Sequence, residues 1–286
     1  MNAIDVSPKQ PRLTEESFRR FAAFITDELG IKMPPAKIQM LQGRLQRRMK
    51  ALGVSSVEDY QELLFGPNGE TTERAHFFDS VTTNKTDFFR EPCHFDFLTQ
   101  SALPALDRAP QELWRFNLWC AGCSTGEEAY TLAMTLDQFG LRRGQFDFSI
   151  RGTDISTRVL QAAQRAIYSE DIIVPISQRL RERYLLRSKD PSTRLVRVAP
   201  TLRHRVTFSR LNFMDTKYPI EETYDVIFFR NVMIYFDKPT QEAVVNKLCR
   251  HLAPGGFLFV GHSESLTGLQ VPLRLVDSAV YRKPMN

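Results

Sequence analysis

The residues best placed to do chemistry lie in Phe116–Met134, FNLWCAGCSTGEEAYTLAM, where an apolar run meets a turn of small residues and then an amphipathic pattern. Gly122 and Gly126 let such a turn bend and let a ligand approach the backbone closely. Ser124 or Thr125 is the expected cap of the following helix, with Glu127 or Glu128 as its reciprocal partner. A second apolar run, FDFSIRGTDIS, ends at Asp154. Strand, glycine turn and helix, then an acid at the end of the next strand, is the plan of nucleotide-type cofactor sites, where the acid accepts hydrogen bonds from a ribose. The glycine spacing is not GxGxxG, so a cofactor without a pyrophosphate fits better. S-adenosylmethionine has that chemistry.

Two other readings overlap the same turn. Gly122-Cys123-Ser124-Thr125-Gly126 matches GxSxG, the nucleophile elbow of serine hydrolases, and Asp215, Asp225 or Asp237 followed by His262 gives the Ser…Asp…His chain order. Against it, no HGG-type oxyanion segment precedes the elbow, and a hydrolase has no need of Asp154. Cys120 and Cys123 form a CxxC, which raises zinc or redox chemistry. No second CxxC or HxxxH supplies the remaining zinc ligands, so no metal is expected. Two small residues filling a tight turn account for the pair.

The elements that must position these residues alternate. Strands are expected at Arg115–Ala121, Phe146–Thr153, Val206–Arg210, Tyr224–Phe229 and Gly256–Gly261, with helices between, the mark of a parallel sheet. PLRLVDSAVYRKP reads as a final antiparallel strand. Asn212 and Phe213 follow the third strand, where a polar side chain and backbone amides suit an adenine edge. Arg230, Asn231 and Tyr235 follow the fourth, at the carboxyl edge where open α/β sheets bind ligands, and Glu128 lies near the glycine turn. Residues 168–206 interrupt the alternation with a helix (SQRLRERYLL) and an alternating strand (RLVRV), and read as an inserted subdomain.

Ahead of the sheet, residues 14–81 look all-helical. Phe18, Phe21, Phe24, Ile25 and Leu29 repeat at helical spacing before Gly30, and a second helix carries Ile38, Leu41, Leu45, Met49 and Leu52 on one face. Lys37, Arg44 and Arg48 line another face. The expected domains are a loose tail over 1–13, a helical domain over 14–81, a linker over 82–104 that contributes to the active site, and the α/β domain over 105–286.

At 286 residues and net charge +5 the composition is that of an ordinary globular chain. It has no apolar run near the ~18 residues a membrane span requires and no apolar signal core, so a cytoplasmic protein without membrane insertion is expected. The charge is uneven. Lys32 to Lys50 holds six cations with no acid between Glu28 and Glu58, and Arg165–Arg210 carries eleven Lys/Arg against four acids. Two basic zones point to an acidic partner, whether nucleic acid, membrane surface or protein.

TTNKTDFFRE (Thr82–Glu91), CSTGEEAYTLAM, GTDIS, LNF and FRNVMIYF, in this order, resemble the CheR-type chemotaxis receptor methyltransferases across essentially the whole chain. The resemblance implies a Rossmann-like α/β methyltransferase domain with a small inserted β-containing subdomain, preceded by an all-helical domain. It implies transfer of a methyl group from S-adenosylmethionine, leaving S-adenosylhomocysteine, to glutamate side chains on the cytoplasmic helices of chemoreceptors. By position it assigns cofactor contacts to Asn84, Thr86, Arg90, Glu128, Asp154, Asn212, Phe213, Arg230 and Asn231, and sets Arg90 and Tyr235 beside the reacting centre. Lys37, Arg44 and Arg48 become candidates to dock a Glu-rich receptor helix, with the enzyme acting as a monomer. In the family the insertion can hold a receptor's carboxyl-terminal peptide by strand addition; here its tip, RSKDPSTR, lacks the glycines of the tethering members.

Nucleic-acid methyltransferases share the fold, but the amino-methylating ones carry (N/D)PP(Y/F) where this chain has FRNVMIY. A cytosine-5 enzyme needs a Pro-Cys after the fourth strand, and Pro92-Cys93 precedes the domain. A non-catalytic cofactor-binding regulator has no need of both Arg90 and Tyr235.

Overall fold

The computed structural model describes residues 12–107 and 112–285. The tail expected over 1–13 falls almost entirely outside them. The chain forms two compact units, Met1–Thr83 and Asn84–Asn286.

The first unit is helical: α1 Glu15–Leu29, α2 Ile38–Leu52, α3 Val57–Phe65, α4 Gly69–Thr72 and α5 Arg74–Val81. Thr14 caps α1 by accepting the Ser17 N–H, and Gly30 ends it at φ 67°, a left-handed conformation that glycine adopts without strain. Phe18, Phe21, Ile25 and Leu29 are buried from α1, and Leu41, Leu45 and Met49 from α2. Leu52, expected on the buried face, is exposed at the end of α2. The Phe21 ring packs among Tyr60, Phe65 and Phe77 at 5.7–6.1 Å. Glu73 is 2% exposed and is held by the Tyr60 hydroxyl at 2.7 Å and by Arg48 through Nε and Nη2 at 2.8 and 2.6 Å. That fork answers the desolvation of the carboxylate with charge-assisted hydrogen bonds.

The second unit opens with α6 (Cys93–Phe97), which runs through a π-helical turn over Leu98–Ala102 into α7 (Leu103–Leu106). The sheet then begins with β1 (Trp114–Ala121), followed by α8 (Glu127–Arg143), β2 (Phe146–Asp154) and α9 (Thr157–Arg165). The insertion holds β3 (Ile167–Ser169), α10 (Gln178–Tyr184), β4 (Leu185–Arg187) and β5 (Leu195–Val198). After α11 (Pro200–Arg203) come β6 (Val206–Arg210), β7 (Tyr224–Phe229), α12 (Lys238–His251), β8 (Leu252–Val260), β9 (Arg274–Asp277) and β10 (Val280–Arg282). The main sheet has the order β6-β2-β1-β7-β8-β10-β9; β10 is antiparallel to both neighbours, and the other pairings are parallel. The order reverses direction between β1 and β7, the switch point at whose carboxyl edge α/β sheets bind ligands.

Four expectations differ in detail. The second half of the expected linker is the α6–α7 helix, whose Phe95, Leu98, Ala102 and Leu103 join the same core as Phe116, Leu118, Phe228 and Phe259. The last parallel strand starts at Leu252, because a register irregularity after Tyr224 lets Ala253–Gly256 bulge within the ladder. The expected terminal strand is a hairpin turned at Ala279, φ 57°. The insertion is a three-stranded antiparallel sheet, β3-β5-β4, in which β5 is the expected RLVRV strand and β3 and β4, of three residues each, are too short to leave a periodic signal.

Candidate active site

The turn after β1 is built around its glycines and one acid. Gly122 has φ 85°, and a Cβ there would lie 2.6 Å from Val232 Cγ2. Gly126, at φ 96°, is itself the amino-terminal cap of α8, with no side-chain capping bond. The expected Ser124 or Thr125 cap therefore does not form. Ser124 instead sits at φ 49° and donates its hydroxyl to the Asn84 carbonyl at 2.8 Å, while Thr125 Oγ1 donates to Glu127 Oε2 at 2.6 Å. Asp154 reaches across from β2: its Oδ2 accepts the Ser124 N–H at 2.9 Å and its Oδ1 the Ser156 N–H at 3.0 Å. The Asp154 carbonyl accepts the Leu211 N–H at 3.0 Å, which ties the end of β6 to the end of β2.

The end of β7 supplies the cation of the site. The Arg230 side chain is fully buried, with Nη1 3.0 Å from Glu128 Oε2 and Nη2 3.1 Å from Glu91 Oε2. Nη2 also donates to the Arg90 carbonyl at 2.5 Å. Asn231, at φ 59°, donates from Nδ2 to Glu91 Oε1 at 3.3 Å. Its N–H goes to Glu264, whose carboxylate also accepts the N–H groups of Gly261 and Ile234 at 2.6 and 3.2 Å. Glu264 thereby pins the loop that leads to Tyr235. Phe89, Glu91, Ser124 and Asn231 all hold positive φ without being glycine. Gln145, Ala166, Arg194 and Ala279 share that conformation in turns away from this edge.

The electrostatics follow from burial and from Arg230. Burial alone would raise the Glu91 carboxyl, but Arg230, the Asn231 amide, His262 and His94 together hold it below the usual carboxylate range. Burial, reinforced by Arg230, pushes His94 down to about 4, so its imidazole is neutral near pH 7. Burial raises the Glu264 carboxyl, an effect that its backbone N–H bonds only partly offset. It also pushes the Cys120 and Cys123 thiols well above their ordinary range, and both are free. Buried, protonated thiols are poor nucleophiles, and Cys120 Sγ donates to Glu128 Oε1 at 3.2 Å.

The candidate residues are thus largely brought together. Asn84, Ser124 and Asp154 form one chain of contacts; Arg90, Arg230, Glu128, Glu91 and Asn231 form another. Asn212 follows β6 and accepts the Met214 N–H in a tight turn, while the Phe213 ring packs on Phe229 at 5.0 Å. Thr86 is half-buried in the loop before Phe88, and Arg90 Nη1 closes that loop on the Lys85 carbonyl at 3.2 Å. Tyr235 ends the 3-10 turn Met233–Tyr235, half-buried, and its hydroxyl makes no hydrogen bond among the described residues. Glu91 and Glu264 were not singled out from the sequence. Glu91 closes the TTNKTDFFRE motif and offered that signal, whereas Glu264 lies in a plain loop and offered none.

The hydrolase alternative and the docking face of α2 both meet a different geometry. The hydrolase triad is not assembled: the Ser124 hydroxyl is committed to Asn84, and His262 Nε2 faces Cys93 Sγ at 3.1 Å. Arg48 is the half-buried partner of the buried Glu73, and Arg44 donates through Nη1 to the Val81 and Thr82 carbonyls at the end of α5, so neither is disposed as an outward docking cation. Lys37 Nζ donates to the Lys32 carbonyl at 3.1 Å, while Arg47 and Lys50 on α2 are exposed.

S-adenosylmethionine fits this donor set. Asp154, 8% exposed beside a turn whose Gly122 requires a positive φ, offers carboxylate oxygens of the kind that ribose hydroxyls bond to. Arg230 Nε is buried without a hydrogen-bond partner among the described residues, an orphaned donor for which a cofactor carboxylate is a natural acceptor. Comparison with known proteins agrees. The S-adenosylmethionine-binding domain of the CheR methyltransferases matches residues 84–282, and their all-alpha domain matches residues 16–82. A chemotaxis protein methyltransferase of Klebsiella aerogenes is 37% identical over 270 residues, covering 94% of this chain and 90% of that one. Those of Borreliella burgdorferi and Escherichia coli K12 are 35% and 36% identical, each spanning more than nine-tenths of both chains.

Proposed function

The chain belongs to the CheR methyltransferase family as an S-adenosylmethionine-dependent enzyme, and from that premise we propose that it forms methyl esters on glutamate side chains of chemoreceptor cytoplasmic helices. The observation that carries the reading is the Arg230 cluster: one buried guanidinium joins the 84–91 loop, through Glu91 and the Arg90 carbonyl, to the glycine-turn helix, through Glu128.

When bound, the cofactor supplies an electrophilic methyl group on a sulfonium centre. Asp154 would hold the ribose, Asn212 and Phe213 the adenine side, and Arg230 with Asn84 and Thr86 the amino-acid end. The substrate needs no activation: a glutamate carboxylate has a pKa of about 4.3 and is already the nucleophile near pH 7. The protein's task is alignment and the exclusion of water, which can supply ~7–11 kcal/mol of the barrier. Arg90 and the uncommitted Tyr235 hydroxyl would orient the carboxylate. Arg90 has to hold it loosely, because attack neutralises the charge that a tight ion pair would stabilise in the ground state. The outward cations on α2, Arg47 and Lys50, would draw the acidic receptor helix.

Calorimetric titration with S-adenosylhomocysteine tests the cofactor half. Asp154→Ala should weaken binding at least about a hundredfold, the loss of about 3 kcal/mol from charge-assisted hydrogen bonds. Unchanged affinity in a folded variant would remove Asp154 from the site.

A further inference from the structure

Three ligand-type side chains that methyl transfer does not use meet at the same sheet edge. Cys93 and His94 open α6 and His262 follows β8; one atom from each lies within 4.8 Å of the others. Cys93 Sγ is 3.1 Å from His262 Nε2, and the two imidazole rings meet edge to face at 4.7 Å. His94 is 1% exposed, and apart from an interaction with the Ser278 backbone neither ring nitrogen makes a hydrogen bond of normal geometry among the described residues. A buried imidazole left in that state carries a desolvation cost that coordination would remove. A carboxylate is also at hand: Glu91 Oε2 is 3.5 Å from His94 Nδ1 and accepts the His262 N–H at 3.3 Å.

The donor types select the ion. Calcium and magnesium want oxygen cages, whereas one thiolate and two imidazoles suit zinc and its borderline-soft neighbours. With Zn–N near 2.0–2.1 Å and Zn–S near 2.3 Å, tetrahedral ligand atoms stand about 3.5 Å apart, so the cluster has to contract by about 1 Å. We propose that Cys93, His94 and His262 bind one zinc-class ion, with solvent at the fourth position and Glu91 beside the two histidines. The Cys93 proton is released to solvent on binding. Because Glu91 touches His94 and the His262 N–H and also pairs with Arg230 and Asn231, an ion that draws the two histidines together disturbs the wall of the cofactor site. Zinc-class metal would therefore act as an inhibitor, through residues far apart in sequence that only the fold brings together.

The test is titration of chelator-treated, full-length protein with cobalt(II), followed by absorption. One equivalent should bind with a thiolate-to-cobalt charge-transfer band in the near ultraviolet and tetrahedral d–d bands. Cys93→Ser should abolish the charge-transfer band, and His262→Asn should weaken binding at least about tenfold. Both side chains are exposed, so both variants should fold. Cobalt bound without the thiolate band, or binding unchanged in both variants, would overturn the site. Zinc should also weaken S-adenosylhomocysteine binding severalfold in wild type and not in Cys93→Ser; equal affinity with and without zinc would overturn the coupling.

Discussion

Arg230 and Asp154 carry the account at the scale of single residues. Each is buried, each spends its polar atoms on more than one chain segment, and each was legible in the sequence because it follows directly on an apolar strand. Glu91 and Glu264 were less legible, because a carboxylate in a loop becomes significant only when the fold supplies the N–H groups and the guanidinium that face it. The side chains assigned to orientation, Arg90 and Tyr235, do not hold the core together. Arg90→Ala and Tyr235→Phe should each lower kcat by about a hundredfold, the scale of a misplaced reactant, while S-adenosylhomocysteine affinity for Tyr235→Phe and thermal stability of both stay near wild type. A variant with full turnover would take that residue out of the mechanism. The absence of a required base predicts the pH profile. With saturating cofactor, kcat/KM should be flat from about pH 6 to 9 and fall tenfold per unit only below the substrate carboxylate's value of about 4.3, where the nucleophile is protonated. An ionisation near neutrality in that profile would require a general base that this reading does not contain.

At the scale of elements, the parallel strands and their helices announce themselves by length and apolar content, and β6 and β7 lie where the sequence puts them. What periodicity cannot give is the use of a polar face. The cationic stripe of α2 reads as a docking surface, yet its half-buried Arg48 is an ion-pair partner, because the buried Glu73, 25 residues later, folds back under it. The two roles separate experimentally. Arg48→Ala should destabilise the helical unit by about 3 kcal/mol, the cost of stranding a buried carboxylate, seen as a fall in the unfolding midpoint. Arg47→Glu with Lys50→Glu should leave that midpoint within a degree or two and raise KM for the receptor fragment several-fold, with KM for the cofactor unchanged. If the charge reversals leave receptor KM alone, α2 has no docking role. The two shortest strands of the insertion, β3 and β4, and the Gly126 cap of α8 lay beyond reach for a related reason: three-residue strands carry no period, and a glycine cap leaves no side chain to read.

At the scale of the whole molecule, the chain joins a helical unit to a seven-stranded α/β unit whose carboxyl edge gathers most of the assigned cofactor residues. No helix among the described residues is long and apolar enough to cross a membrane. A net charge of +5 favours encounter with an acidic partner. The order of motifs along the chain fixed the family-level expectation; the mutual placement of Arg230, Glu91 and Glu128 had to come from the fold, since 139 residues separate Glu91 from Arg230. The central claim is that the group methylated is a carboxylate. It is tested most directly by incubating the protein with methyl-labelled S-adenosylmethionine and a Glu-rich receptor cytoplasmic fragment, then treating the product with mild base. Label released as volatile methanol, and lost when the acceptor glutamates are replaced by alanine, is the predicted result. Label that stays on the protein through base treatment, or no transfer by folded enzyme with bound cofactor, would contradict it.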